Sequence, residues 1–266
     1  MARISVLMGI YNCASTLSEA LDSLYAQTFQ DFQIILCDDG SKDDTYAIAK
    51  RYAEQHTNII LISNDENKGL NYTLNHCLEY ADTEYCARMD GDDISLPTRF
   101  EKEIRFLDSH PEYAIVSCPM IYFDEGGDFL IGKKEGEPSI NSYVKTNFFC
   151  HAPCMIRTEA YKKVGGYTVS PKLLRVEDYH LWAKMYVAGY RGFNLPECLY
   201  KMRDDRNAIM RRTWKARKNE IYVKYIGAKM LQIPWYYMIY IIKPLFAYLM
   251  PSFIYKYIHR HKRNIL

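Results

Sequence analysis

Apolar and polar positions change period several times along the first 110 residues. ISVLMGIY (4–11) is a continuous apolar run, as a strand covered on both faces requires. Ser15 then opens a helical pattern, with Leu17, Ala20, Leu21, Leu24 and Tyr25 on one face and Glu19 and Asp22 outward. FQIILC (32–37) is a second strand, and Asp43 is placed to cap a helix carrying Tyr46, Ala47, Ala49, Lys50 and Ala53. NIILIS (58–63) is a third strand. A turn at Asn67-Lys68-Gly69 then leads into a helix ending near Tyr80. EYCARM (84–89) is a fourth strand, and Pro97 suits the first turn of a helix ending near Ser109. This alternation predicts a mostly parallel sheet flanked by helices. Beyond residue 110 the pattern is mixed. YAIVSCPMIYF and DFLIG, separated by Asp124-Glu125-Gly126-Gly127, predict a hairpin, and a helix is expected from Glu177 to Ala188.

The chain has 266 residues, 48% hydrophobic and 25% charged, with a net charge of +2. That is globular composition with no overall nucleic-acid signature. The eight cysteines are scattered, and MARISVLMGIYN does not follow the order of a secretory leader, so a reducing cytoplasmic setting is expected. Cys150-His151-Ala152-Pro153-Cys154 lacks a second ligand pair of similar spacing and reads as strand core, not a zinc site.

The candidate chemistry lies at strand ends. Tyr11 and Asn12 end the first strand, Asp38, Asp39 and Ser41 the second, and Asp90, Asp92 and Asp93 the fourth. In an open α/β sheet that edge binds ligands. Three carboxylates within four positions repel one another, and a divalent cation relieves the repulsion. Oxygen-only ligands suit Mn²⁺ or Mg²⁺. A calcium loop starting at Asp90 would place Glu101 at its twelfth position but Ser95 where glycine is required. No glycine-rich phosphate loop is present, so a bound nucleotide would need the metal to hold its phosphates.

VLMGIYN, CDDGSKDDT, NKGLNYTLN, ARMDGDD, GGY and VEDYHLW occur in the order and spacing of the family 2 glycosyltransferases. The chain resembles these inverting enzymes over about residues 3–203. The resemblance implies a GT-A fold, with a Rossmann-like, mostly parallel central sheet, and the chain length adds a C-terminal helical extension. Residues 1–110 would bind the nucleotide sugar, 111–214 would bind the acceptor and supply the base, and 215–266 would form the tail. Tyr11 would pack on the base of UDP, and Asp39 would accept its ring N–H beside Lys68. Asp90 would reach the ribose and Asp92 the metal, with Asp93 steadying Asp92 or reaching the metal through water. Asp178 matches the family's general base. From spacing alone, Glu177 and Asp178 equally fit first-turn charge favoured by a helix dipole. His151, Glu177, Arg203 and Arg211 are expected substrate contacts, the arginines on a basic segment that closes on the diphosphate or serves as a linker. Met210-Arg211-Arg212-Thr213-Trp214 departs from the Q-x-x-R-W of processive members, which implies transfer of one sugar per encounter.

Residues 221–258 are too interrupted by Lys243, Pro234, Pro244 and Pro251 to span a membrane, yet rich in Trp and Tyr. Lys256, Arg260, Lys262 and Arg263 follow. We expect residues 221–266 to bind the cytoplasmic face of the cell membrane, or else to pack on the catalytic domain or on a second copy. The expected reaction transfers glucose, galactose, N-acetylglucosamine or N-acetylgalactosamine from UDP to a hydroxyl of a lipid-linked glycan in surface polysaccharide synthesis. Two other readings are a metal-dependent nucleotidyltransferase and an inactive membrane-attached scaffold.

Overall fold

A computed structural model describes residues 2–204 and 213–242. The chain begins with β1 (Ile4–Ile10), α1 (Leu17–Tyr25), β2 (Phe32–Asp38), α2 (Thr45–Gln55), β3 (Ile59–Ser63), α3 (Leu70–Glu79), β4 (Tyr85–Arg88), β5 (Ile94–Ser95) and α4 (Arg99–Ser109). It continues with β6 (Ile115–Ser117), β7 (Met120–Asp124), β8 (Gly127–Ile131), β9 (Met155–Arg157), α5 (Thr158–Val164), α6 (Glu177–Val187), β10 (Gly192–Asn194), β11 (Tyr200–Arg203) and α7 (Trp214–Met230). A 3-10 segment, Trp235–Ile242, ends the described chain.

Seven strands form the main sheet in the order β10-β6-β9-β4-β1-β2-β3. β1 pairs in parallel with β2 and β4, and β9 runs antiparallel to both β4 and β6. The apolar run of β1 is buried on both faces because it is central. Ile4, Val6, Met8 and Ile10 join the core under α1 and α4, whereas Leu7 joins the core under α3 and α6. α1 starts at Leu17, two residues later than its pattern suggests. Asp43 does not occupy the cap position of α2, which is Asp44, but its Oδ1 accepts from the Thr45 amide at 3.1 Å.

The run 113–123 is not one hairpin arm. Cys118 and Pro119 separate β6, in the main sheet, from β7, in a second sheet ordered β5-β11-β7-β8. β7 and β8 do form the expected hairpin. The split has a physical cause, since proline cannot donate to a ladder and interrupts a central strand. The second sheet matters for function because β11 pairs β5, which directly follows Asp93. All eight cysteines are unpaired, and Cys154 is buried next to β9, as a core residue would be.

The first part of the tail packs on the catalytic body. Tyr143 is fully buried, and its hydroxyl lies 3.0 Å from the Tyr179 carbonyl of α6 and 3.3 Å from the Val223 carbonyl of α7. A Cβ on Gly227 would fall 2.1 Å from the Tyr143 hydroxyl, so glycine is what lets α7 approach the ring. Gly227→Ala should therefore displace Tyr143 and destabilise the protein by about 2 kcal/mol or more. Thermal or urea denaturation measures this, and an unchanged midpoint would show that the α7 contact contributes nothing to stability.

Candidate active site

β4, β1 and β2 are neighbours, so their carboxyl ends bring three polar clusters to one edge. Tyr11, 45% exposed, leaves β1 there. Asn12 follows with φ 48°, a left-handed conformation that asparagine tolerates. Its amide donates to Ser41 Oγ at 3.0 Å, and its Oδ1 accepts from the Lys42 amide at 2.8 Å. The β1 and β2 ends are thereby latched together. Sequence reasoning placed Asn12 at this edge but assigned it no role.

Asp39 is buried and heavily used. Oδ1 accepts from Asn64 Nδ2 at 2.8 Å and from the Lys68 amide at 2.9 Å, and Oδ2 accepts from the Gly69 amide at 2.9 Å. Asp39 thus organises the 64–69 loop, which leaves Oδ2 with room for one further donor. Lys68 holds its ammonium 5.0 Å from the Tyr72 ring centroid. The neighbouring Asp38 has a buried Oδ1 with no partner among the described residues, which makes it a second acceptor at this edge.

The acidic turn after β4 is held from several sides. Arg88 is 3% exposed and donates from Nη2 to Asp90 Oδ1 at 2.6 Å. The Asp90 amide donates to the Tyr200 hydroxyl at 3.2 Å. Asp93 Oδ1 accepts from the Arg203 amide at 2.8 Å, and Arg203 Nε donates to the Asp92 carbonyl at 3.0 Å. A Cβ on Gly91 would meet Cys13 Sγ at 2.8 Å, so glycine lets the turn press on the loop between β1 and α1. Burial, then the charge of Asp90, raises the Asp92 carboxyl. Burial and the charges of Asp90 and Asp92 push Asp93 up to about 8.

Among the described residues no ion pair or side-chain hydrogen bond reaches the Asp92 carboxylate, and no three His, Cys, Asp or Glu residues form a complete metal cage. A solvent-reachable carboxylate crowded by Asp90 and Asp93, without its own counter-ion, fits a Mn²⁺ or Mg²⁺ ion whose remaining ligands come from substrate phosphates.

Arg203 departs from expectation. It lies on β11, not on a flexible segment, with its guanidinium paired to Glu19 and 4.5 Å from the Phe123 ring centroid. Its contacts secure the acidic turn. Arg211 lies outside the described residues.

Glu177 and Asp178 open α6. Asn147 Nδ2 donates to Asp178 Oδ2 at 2.5 Å. Burial raises the Asp178 carboxyl, opposed by the Asn147 hydrogen bond and by Arg88. Burial and the Asp178 charge push Glu177 up to about 7, and its Oε2 is buried without a partner among the described residues. His151 bonds through Nε2 to the Tyr167 hydroxyl at 2.7 Å and packs edge-on to Trp182. Burial, then Arg88, keeps it well below the usual imidazole range, hence neutral. Arg88 acts electrostatically on Asp92, Glu177, Asp178 and His151 alike, so one cation is felt by both acidic groups. The signal for Arg88 was present in the sequence: a cation inside the apolar strand EYCARM needs a buried acidic partner.

Residues 5–165 match the model of glycosyl transferase family 2. The chain belongs to glycosyl transferase family 2. This transferase is 40% identical over 261 residues to the putative glycosyltransferase EpsE of Bacillus subtilis, covering 98% of this chain and 94% of that protein. It is 30% identical over 205 residues to WfaP of Escherichia coli, a UDP-Glc:α-D-GlcNAc-diphosphoundecaprenol β-1,3-glucosyltransferase, covering 76% and 78% of the two chains. Its fold is GT-A. Staphylococcus aureus TarS 1–349 with UDP-GlcNAc superposes with a TM-score of 0.69 at 20% identity, covering 87% of this chain and 70% of that one. The mannosyltransferase PcManGT of Pyrobaculum calidifontis, with GDP-Man and Mn²⁺, superposes with a TM-score of 0.67 at 19% identity, covering 92% and 74%.

In this transferase the grip of Asp39 on the 64–69 loop is open to direct test. Asp39→Ala frees Asn64 and two backbone amides. It should weaken nucleotide binding at least roughly tenfold, since hydrogen bonds to a charged group are strong. Calorimetric titration with UDP measures this, and wild-type affinity in the variant would remove Asp39 from the nucleotide site.

Proposed function

We propose that this family 2 transferase moves one sugar from a UDP-sugar to a hydroxyl of a glycan acceptor in surface polysaccharide synthesis, with inversion. The observation that carries the proposal is the acidic edge. Asp90 has Arg88 and Asp93 has the Arg203 amide, while the Asp92 carboxylate has neither an ion pair nor a side-chain hydrogen bond among the described residues. Tyr11 and Asp39 stand at the adjacent strand ends to take the base, with Lys68 beside it, and Asp90 reaches the ribose. A UDP donor is supported by the 30% identity to WfaP, whose name specifies UDP-Glc. Residues 1–110 serve the donor, and residues 111–214 carry the base and the acceptor site.

Asp92 would hold the Mn²⁺ or Mg²⁺ ion, whose positive charge would stabilise the departing diphosphate. Asp178 accepts the proton of the acceptor hydroxyl while that oxygen bonds to the anomeric carbon, and the anomeric carbon–phosphate oxygen bond breaks. Glu177, with a free Oε2, faces a sugar hydroxyl. Asp178→Asn should lower transfer at least roughly a hundredfold and leave UDP-sugar binding near wild type. Asp92→Ala should abolish the Mn²⁺ dependence of UDP binding. Calorimetry and a UDP-release assay read both. Retained transfer in Asp178→Asn would exclude it as the base.

The tail supports attachment to a membrane from the cytoplasmic side. Residues 213–266 hold ten Lys and Arg against one acid, Glu220, whereas residues 1–212 carry a net charge of −7. No helix among the described residues is long and apolar enough to cross a bilayer. The 3-10 segment instead turns Trp235 (83% exposed), Ile239 (68%) and Tyr236 (59%) outward. Aromatic and aliphatic side chains beside cations suit an anionic lipid interface, where a lipid-linked acceptor would reside. Trp235→Ser with Ile239→Ser should lower co-sedimentation with phosphatidylglycerol vesicles several-fold. Undiminished sedimentation, or loss of a dimer in place of lipid binding, would assign the strip to another partner.

A further inference from the structure

Asn147 is not among the residues that the motifs single out. It lies between Tyr143 and β9, on a segment fixed at several points. Phe148 and Phe149 are fully buried, and Phe149 packs edge-on to Trp182 of α6 at 5.3 Å. The Asn147 carbonyl accepts from Lys134 Nζ at 2.7 Å. From this rigid mount the side chain reaches the first turn of α6 and donates to Asp178 Oδ2. An ionised carboxylate can only accept, so the amide NH₂ must face it and the amide oxygen must point elsewhere. That oxygen, Asn147 Oδ1, is buried and has no hydrogen-bond partner among the described residues.

Two consequences follow from the chemistry. With Oδ2 tied to Asn147, Asp178 offers Oδ1 to an incoming hydroxyl. Beside it stands a second desolvated acceptor, which only a further O–H or N–H can satisfy. Sugars present hydroxyls in vicinal pairs. We propose that Asn147 is a positioning residue for Asp178 and a specificity contact, its Oδ1 accepting from the hydroxyl next to the one that attacks. The proposal rests on Asp178 as the base.

The groups that act on Asp178 or respond to its charge are Arg88, Glu177, Tyr143, Tyr179, Lys134 and Cys150. Burial raises the Asp178 carboxyl and the Asn147 bond lowers it. Removing the bond raises it further. Catalysis by the carboxylate is lost below its pKa, so the acidic limb of the rate profile moves to higher pH.

The experiment measures kcat/KM against pH for UDP release from whichever of UDP-Glc, UDP-Gal, UDP-GlcNAc or UDP-GalNAc is turned over with Mn²⁺, on the full chain. The proteins are wild type, Asn147→Ala, Asn147→Ser and Asp178→Asn, and ethylene glycol and ethanol serve as the acceptors. Asn147→Ala and Asn147→Ser should lose roughly ten- to a hundredfold in kcat/KM, with the acidic limb displaced upward and donor affinity by calorimetry unchanged. They should also lose the wild-type preference for the vicinal diol. An unmoved acidic limb in both soluble variants overturns the positioning role, and a retained diol preference overturns the specificity contact. Wild-type activity in Asp178→Asn would sink the base assignment itself, a separate result. If Asn147→Ala fails to fold, the Asn147→Ser profile decides.

Discussion

The structure is organised around a turn that concentrates negative charge, with Asp93 buried, Asp90 half-buried and Asp92 open to solvent. Asp90 and Asp93 each have a partner, one near in the chain and one far. Arg88 arrives from the preceding strand, and Arg203 and Tyr200 from a strand about 110 residues later. Beneath them Arg99 is fully buried, paired with Glu103, and donates to the Arg88 carbonyl at 2.9 Å. Arg99 also stacks over Tyr200, 5.1 Å from its ring centroid. Breaking a buried pair of this kind strands a charge in the core, so the acidic turn and its supports form one unit.

This arrangement joins the two halves chemically as well as mechanically. β5 leaves the acidic turn and pairs with β11, so the acids at 90–93 are sewn to the strand that precedes residues 205–212. On the other side, Arg88 acts on the candidate base and its neighbour. One cation therefore balances carboxylates from both halves. Burial favours protonating the acids, the cation favours ionising them, and small changes in packing decide between the two.

The C-terminal region divides into two physical parts. α7 is continuous with the catalytic body, with Val223 and Ala228 fully buried against it. The 3-10 segment is joined to that body by Lys145, whose ammonium lies 5.0 Å from the Tyr237 ring centroid and 4.7 Å from that of Tyr240. Lys145 sits two residues before Asn147, so the segment that holds Asp178 also touches the aromatic strip. Apolar rings turned to solvent beyond such an anchor are costly in isolation, which is the physical case for a partner.

By itself the sequence determined the parallel strand-helix succession, because doubly buried strands and amphipathic helices differ in period. It also determined the edge where Tyr11, Asp39 and the acids at 90–93 gather, because strand ends can be read locally. The split of 113–123 at Pro119 was legible only in part. A proline marks a break, but which sheet each side joins depends on strands distant in the chain. What only the tertiary structure decided was partnership. That Arg88 holds Asp90, that the Arg203 amide meets Asp93, and that Asn147 faces Asp178 follow from contacts between segments 2, 110 and 31 residues apart. Even the near pair needed the fold, since burial is what makes Arg88 seek a carboxylate. Periodicity reports which face of an element is covered. It does not report what lies across the gap, and in a desolvated site that neighbour sets both geometry and charge.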